Sequence, residues 1–198
     1  MTTVVVPFRS SDPKRRLETL SERDRVRLAE AMLADVLAAA VAVGPVLVVS
    51  PQTIALPEGV THVPDPRHGQ GAAVRAALDA ATAKGLPGPY LVVNADLPCA
   101  TTRDLLALAG AVPEGGLAVV AALDGTTNAL ALSDGRLFEP VYGPGSAARF
   151  AGLAETRQLE APNLMDDVDA PGDLTRLVDR LGEHTRRVLT ALRLETAA

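Results

Sequence analysis

The sequence predicts an α/β domain, with one mainly parallel sheet and helices on both faces. Three observations carry this. The candidate strands are continuous apolar runs, the pattern of strands buried on both sides. Segments with apolar residues three and four apart alternate with them along the chain. Glycine and proline mark the joints between the two. A chain of 198 residues suits one such domain, spanning 1–198, better than two.

The elements follow in order. Thr3 to Pro7 is a β-branched run and reads as the first buried strand. Phe8 to Leu20 has no clean period and reads as a loop. Ser21, with Asp24 three residues on, is an N-cap signal. A long helix follows, with Val26, Ala29, Leu33, Val36 and Ala40 on one stripe, and Gly44-Pro45 stops it. Val46 to Ser50 and Val60 to Val63 are the next strands. Gly69-Gln70-Gly71 opens an Ala-rich helix, Ala72 to Ala83. Tyr90 to Asn94 is a buried strand that ends in Ala95-Asp96-Leu97-Pro98. Thr101 to Asp104 caps another helix, and Leu117 to Ala122 and Asn128 to Leu132 read as strands. Gly143-Pro144-Gly145-Ser146 leads into a short helix. Pro171 stands where a helix would start, and a tail helix covers about 183–195, with Val188, Leu189 and Leu192 on one side. That face would pack on the sheet or close a homodimer.

Apolar residues make up 47 % of the chain and charged residues 22 %, at a mean hydropathy of +0.17. These are globular values and exclude wholesale disorder. With aromatics at 3 % and no tryptophan, the core must be built from Ala, Val and Leu. The net charge of −5 argues against a nucleic-acid binder. A single cysteine, Cys99, excludes an internal disulfide and suits a reducing compartment. The apolar runs are too short for a signal peptide or a membrane span. The expected location is the cytoplasm, without membrane attachment. Basic residues are almost all arginine, with lysine at positions 14 and 84.

In a parallel α/β sheet, ligands bind beyond the carboxyl ends of the strands. Four segments there carry candidate chemistry. Residues 9–27 hold seven basic and four acidic side chains, a surplus of +3 that leaves −8 for the remaining chain. A basic loop after the first strand, with Arg9, Lys14 and Arg16, suits a triphosphate, and a solvated charged loop is the plainer alternative. It holds no glycine, so it is neither a Walker A loop nor a dinucleotide fingerprint. Asp96 ends a strand whose preceding residues are apolar. Such a carboxylate needs a partner, either a Mg²⁺ ion or the N–H groups of a cap. Asp167 and Asp169 face the same side of an extended segment and would converge on a cation, with Asp166 a spare candidate and Asp169 also placed to cap a helix. The segments Asp124 to Asn128 and Gly143 to Ser146 let backbone N–H groups approach an anion, or are ordinary turns. His62, His68 and His184 lie in unrelated contexts, without a zinc spacing. Cys99 reads as small packing.

Taken in order, the pieces resemble a known family over about residues 3–180. They are Val6-Pro7-Phe8-Arg9 with Lys14-Arg15-Arg16-Leu17, Gly69-Gln70-Gly71, Ala95-Asp96-Leu97-Pro98, Gly125-Thr126-Thr127-Asn128-Ala129-Leu130, Gly143-Pro144-Gly145-Ser146, and Asp167-Val168-Asp169-Ala170-Pro171. The set resembles the CofC-type guanylyltransferases of deazaflavin coenzyme F-420 biosynthesis, called FbiD in actinobacteria. The resemblance implies a MobA-like, nucleotide-diphospho-sugar transferase fold. It implies transfer of GMP from GTP to a small phosphorylated carboxylate, with release of pyrophosphate. The family's acceptors are phosphoenolpyruvate, 2-phospho-L-lactate and 3-phospho-D-glycerate, and the GC-rich, bacterial-looking composition favours phosphoenolpyruvate. A downstream deazaflavin transferase is an implied partner.

The resemblance also assigns roles. Asp96, Asp167 and Asp169 would hold Mg²⁺, and Thr127, Gly143 and Ser146 would bind the acceptor carboxylate. Pro7, Arg9, Lys14, Arg16, Gly69 and Gly71 would hold the nucleotide. Catalysis would fall to Asp96, Lys14 and Arg16. Arg9 stands where many members carry lysine, which keeps the charge and changes the donor geometry. Another MobA-like nucleotidyltransferase and a non-catalytic nucleotide-binding subunit are the alternatives. The absence of a glycine-rich first loop lowers the first, and retention of all three acidic motifs lowers the second.

Overall fold

The computed structural model describes residues 2–9, 17 and 19–196. Lys14 and Arg16, and with them most of the basic loop, lie outside the described residues. Seven strands form one sheet: β1 (Thr3–Pro7), β2 (Val46–Ser50), β3 (Val60–Pro64), β4 (Tyr90–Val93), β5 (Leu117–Ala121), β6 (Thr127–Leu132) and β7 (Thr156–Gln158). Their order is β3-β2-β1-β4-β6-β5-β7. The pairs β1–β2, β1–β4, β2–β3 and β5–β7 are parallel, and β6 runs antiparallel to both β4 and β5. The sheet is mainly parallel as expected, with β6 the exception. Strands β5 and β6 can pair this way because residues 122–126 turn the chain back within a few residues.

The helices are α1 (Glu22–Ala40), α2 (Gln70–Ala83), α3 (Thr102–Ala111), α4 (Ser146–Ala151), α5 (Pro162–Met165), α6 (Pro171–Arg176) and α7 (Glu183–Thr196). Successive strand residues point to opposite faces, so the central strands feed two cores. Val4, Val6, Val46, Val48, Leu91 and Val93 pack against the buried side of α1 and α3. Val5, Leu47, Val49 and Val92 meet the Ala-rich stripe of α2 and the Phe138 and Phe150 rings. Small helix residues let α2 lie close to the sheet, which is how a core with so few aromatics is filled.

Local signals explain the helix ends. The Ser21 hydroxyl accepts the Asp24 N–H at 3.2 Å and donates to the Asp24 carboxylate at 2.6 Å. Thr101 and Asp104 form a reciprocal capping box on α3. The end of α7 is tied down differently. Asp35, on the buried side of α1 and 5 % exposed, accepts the N–H groups of His184 and Thr185, each at 2.9 Å. A carboxylate at a helix N-terminus compensates the orphan donors and the positive end of the dipole. The Gly182 N–H just before it donates to the Pro98 carbonyl at 2.7 Å. The apolar face of α7 packs on α1, with Val188, Leu189 and Leu192 turned to the core rather than to the sheet. No helix among the described residues is long and apolar enough to cross a membrane.

Candidate active site

Strand order doubles back between β1 and β4, the position where an open α/β sheet leaves a crevice. The carboxyl ends of β1 and β4 lead there into Arg9 and into Asn94 to Asp96. Because β6 is antiparallel, its first residues, Thr127 and Asn128, lie at the same edge: Val93 pairs with Ala129, and the Asn94 N–H donates to the Asn128 carbonyl at 3.0 Å. The late segment joins through the Val168 N–H, which donates to the Asp96 carbonyl at 3.2 Å. Val168 is fully buried, so Asp167 and Asp169 on either side of it turn the other way. One ligand oxygen each from Asp96, Asp167 and Asp169 then lies within 4.8 Å of the others.

Three like charges at that spacing repel. Burial, then the nearby Asp96 and Asp169, push the Asp167 carboxyl above the usual carboxylate range, and a hydrogen bond from Asn128 opposes the rise. Asn128 donates through Nδ2 to the Met165 carbonyl at 3.0 Å and to Asp167 Oδ1 at 3.4 Å. All-oxygen carboxylate donors suit a hard divalent cation, and ligands on one octahedral Mg²⁺ stand about 3–4 Å apart. The three acids therefore fit such an ion in chemistry and in size.

Asp166, the spare candidate, is used elsewhere. Its carboxylate is gripped by Arg176 and Arg180, and although burial opposes ionisation, those two guanidinium groups hold it below the ordinary range. Asp169 does not cap α6. The N-cap is Ala170, and the Asp173 carboxylate accepts the N–H groups of Asp169 and Ala170 at 3.0 and 2.9 Å. Cys99 is buried, and burial pushes its thiol up, in keeping with a packing role.

Beside the acids lies the start of α2. Gly69, at φ +95°, is its N-cap without a side-chain hydrogen bond. Gly71 lies against Pro140, where an added Cβ would come within 2.5 Å of the proline side chain. Gln70 Nε2 donates to Asn94 Oδ1 at 2.8 Å, and Asn94 Nδ2 donates to the Thr127 carbonyl at 3.2 Å. An uncapped helix N-terminus of this length favours an anion. On the other side, the buried hydroxyls of Thr127 and Ser146 bond each other at 2.9 Å. Ser146 opens α4 but Gly145, in left-handed conformation, is the N-cap. Arg149 braces the preceding turn by donating to the carbonyls of Val141, Tyr142 and Pro144. Gly143, at φ +107°, sits within that turn.

Sequence reasoning missed Asp65. It follows β3, its side chain is 2 % exposed, and it pairs with Arg9 Nε at 3.3 Å. A signal for it existed: an acid directly after an apolar run and flanked by prolines, much like the one that marks Asp96.

The fold is that of the nucleotidyltransferases of the nucleotide-diphospho-sugar type. A solved structure from Desulfovibrio desulfuricans G20, described as a putative nucleotide-diphospho-sugar transferase, superposes with a TM-score of 0.75 at 16 % identity, covering 96 % of this chain and 95 % of the other. More particularly, the chain belongs to the family described as guanylyl transferase CofC like, whose profile matches residues 2–197. Among curated relatives, the phosphoenolpyruvate guanylyltransferase of Sphaerobacter thermophilus is 36 % identical over 193 residues, 89 % of this chain and 93 % of its own. The 2-phospho-L-lactate guanylyltransferase of Methanosphaerula palustris is 33 % identical over 183 residues, 88 % and 82 % of the two chains.

Proposed function

We propose that this chain joins GMP from GTP to a small phosphorylated carboxylate and releases pyrophosphate, with Mg²⁺ held by Asp96, Asp167 and Asp169. The observation that carries the reading is the convergence of three carboxylates, from two distant segments, beside the uncapped start of α2. The relatives' substrates support the acceptor class.

The acceptor's phosphate oxygen attacks the α-phosphorus of GTP. The new P–O bond forms as the α–β bridging bond breaks, and pyrophosphate leaves. The nucleophile is already ionised, so no general base is needed. His62, the nearest to β2, has its Nε2 within 3.2 Å of the Ser50 carbonyl and 3.0 Å of its hydroxyl. A divalent cation, when bound, screens the repulsion between the two anions and acts as a Lewis acid at phosphoryl oxygen. Pro7, Arg9, Gly69 and Gly71 frame the nucleotide. Lys14 and Arg16 neutralise the β- and γ-phosphates and the leaving pyrophosphate. Thr127, Gly143 and Ser146 hold the acceptor carboxylate and so fix the attacking phosphate in line. The GMP-loaded product suits a downstream deazaflavin transferase as its consumer.

The test is pyrophosphate release from GTP and MgCl₂ with phosphoenolpyruvate, 2-phospho-L-lactate or 3-phospho-D-glycerate added singly, with the GMP adduct read by mass. Release that depends on both the acid and Mg²⁺ is expected, with phosphoenolpyruvate the strongest acceptor. Silence with all three acids overturns the reading.

A further inference from the structure

The segment from Asp65 to Gly71 crosses the carboxyl end of β1, from the end of β3 to the residues after β4. Its two ends are anchored differently. At the far end Gln70 holds Asn94 at 2.8 Å. At the near end Asp65 holds two groups: its Oδ2 accepts Arg9 Nε at 3.3 Å, and its Oδ1 accepts the Arg67 N–H at 2.7 Å. Arg67 adopts φ +65°, unusual for a residue with a Cβ, and in that conformation its N–H meets the carboxylate. The Arg67 guanidinium turns away to the Pro51 carbonyl at 3.2 Å.

A carboxylate 2 % exposed is expensive to bury unless charge and hydrogen bonds compensate it. Asp65 therefore acts as a fixed internal anchor. Its pair with Arg9 runs through Nε, the side of the guanidinium nearest the chain. The Arg9 side chain, just past the carboxyl end of β1, remains 52 % exposed. Arginine held by Nε offers its two terminal nitrogens in a fixed plane, the geometry that engages a phosphate bidentately.

We infer that Asp65 is a positioning residue for the nucleotide: one buried charge sets both the Arg9 guanidinium and the turn that delivers Gly69 and the start of α2. This rests on the guanylyltransferase reading above. Asp65 itself touches no substrate. Its effect reaches GTP through Arg9 and through the turn.

The test is GTP binding by calorimetry with MgCl₂, and steady-state kinetics, on the full chain. Asp65→Asn keeps the size and removes the charge. It is expected to raise the GTP Kd and KM about tenfold, with kcat and the acceptor KM within about twofold of wild type. In an Arg9→Ala background, Asp65→Asn is expected to cost no more than about a further threefold, the residue of its hold on the turn. Arg9→Lys keeps the charge but loses Nε, and is expected to weaken GTP severalfold whether or not Asp65→Asn folds. Wild-type GTP affinity in either Asp65→Asn or Arg9→Lys overturns the inference, as does a tenfold loss that persists unchanged without Arg9. A wild-type chain that binds no GTP at all overturns the parent reading and this one together.

Discussion

Asp166 and Asp167 are chain neighbours with opposite surroundings. Asp166 is clasped by Arg176 and Arg180 and has its carboxyl held low. Asp167 is half-buried beside Asp96 and Asp169 and has its carboxyl pushed up. The first acid is satisfied within the fold. The second belongs to a group in which the fold holds three like charges close together. The pair shows one short segment serving the fold with one residue and, in the function proposed above, a cation with the next. Strain of this kind, tolerated at one point and offset elsewhere, marks functional clusters.

The comparison can be broken most sharply at Asp96. Asp96→Asn should lower kcat by roughly a thousandfold while the Tm stays level or rises. Near wild-type GMP transfer at saturating Mg²⁺ would remove the metal role. The next effect falls on the other side. Asp166→Asn leaves two arginines without their shared partner, and because those arginines are about two-fifths exposed the cost is about 1–3 kcal/mol. Denaturant unfolding at pH 7 measures it, and turnover per folded molecule should change little. Asp167→Asn reverses the sign: the metal-free chain should gain roughly 0.5–2 kcal/mol as it loses Mg²⁺-dependent activity. Saturating Mg²⁺ should raise the wild-type Tm and leave the variant unmoved.

The smallest effect is in the pH dependence, where the two acids again oppose each other. The folded pKa of Asp166 is depressed, so its contribution is present above the unfolded value, about 3.9, and is lost as pH falls through the lower folded value. The deficit of Asp166→Asn should therefore be full at pH 7 and shrink below about pH 4. The folded pKa of Asp167 is raised, so its contribution is present below about 3.9 and is lost as pH rises through the higher folded value. Without metal, the advantage of Asp167→Asn should open as pH rises above about 4. Parallel stability curves for the two variants would show that the two environments are not distinct.

Much of the fold was legible because buried strands announce themselves as apolar runs. β1, β2, β4 and β5 are such runs, and the helix caps at Ser21 and Thr101 carry their own chemistry. The direction of β6 was not legible. Thr127 to Leu132 is buried throughout, and a strand buried on both faces reads the same whichever way it runs. β7 escaped because Thr156–Gln158 is a three-residue edge strand with no apolar signal. At the site, the i and i+2 spacing of Asp167 and Asp169 foretold a shared face, and buried Val168 between them supplies the reason. What separates Asp166 from Asp167 is the approach of Arg176 and Arg180, a tertiary fact no local pattern encodes. Asp65 was legible in kind but overlooked, since its strand, Val60–Pro64, is the weakest of the apolar runs.

The tie between Gly182 and the Pro98 carbonyl, with Asp35 waiting for the start of α7, sets an order on the making of the molecule. During synthesis, α1 and the loop carrying Asp96 leave the ribosome long before residues 182–185. Until those residues emerge, Asp35 lies on the side of α1 meant for burial with no N–H groups to receive it, and the segment after Asp96 lacks its clamp. Asp167 and Asp169 come from the same late stretch. The nascent chain can thus lay down β1 to β4 early but cannot gather its acids, or complete the clasp behind them, until residues 167–185 have emerged.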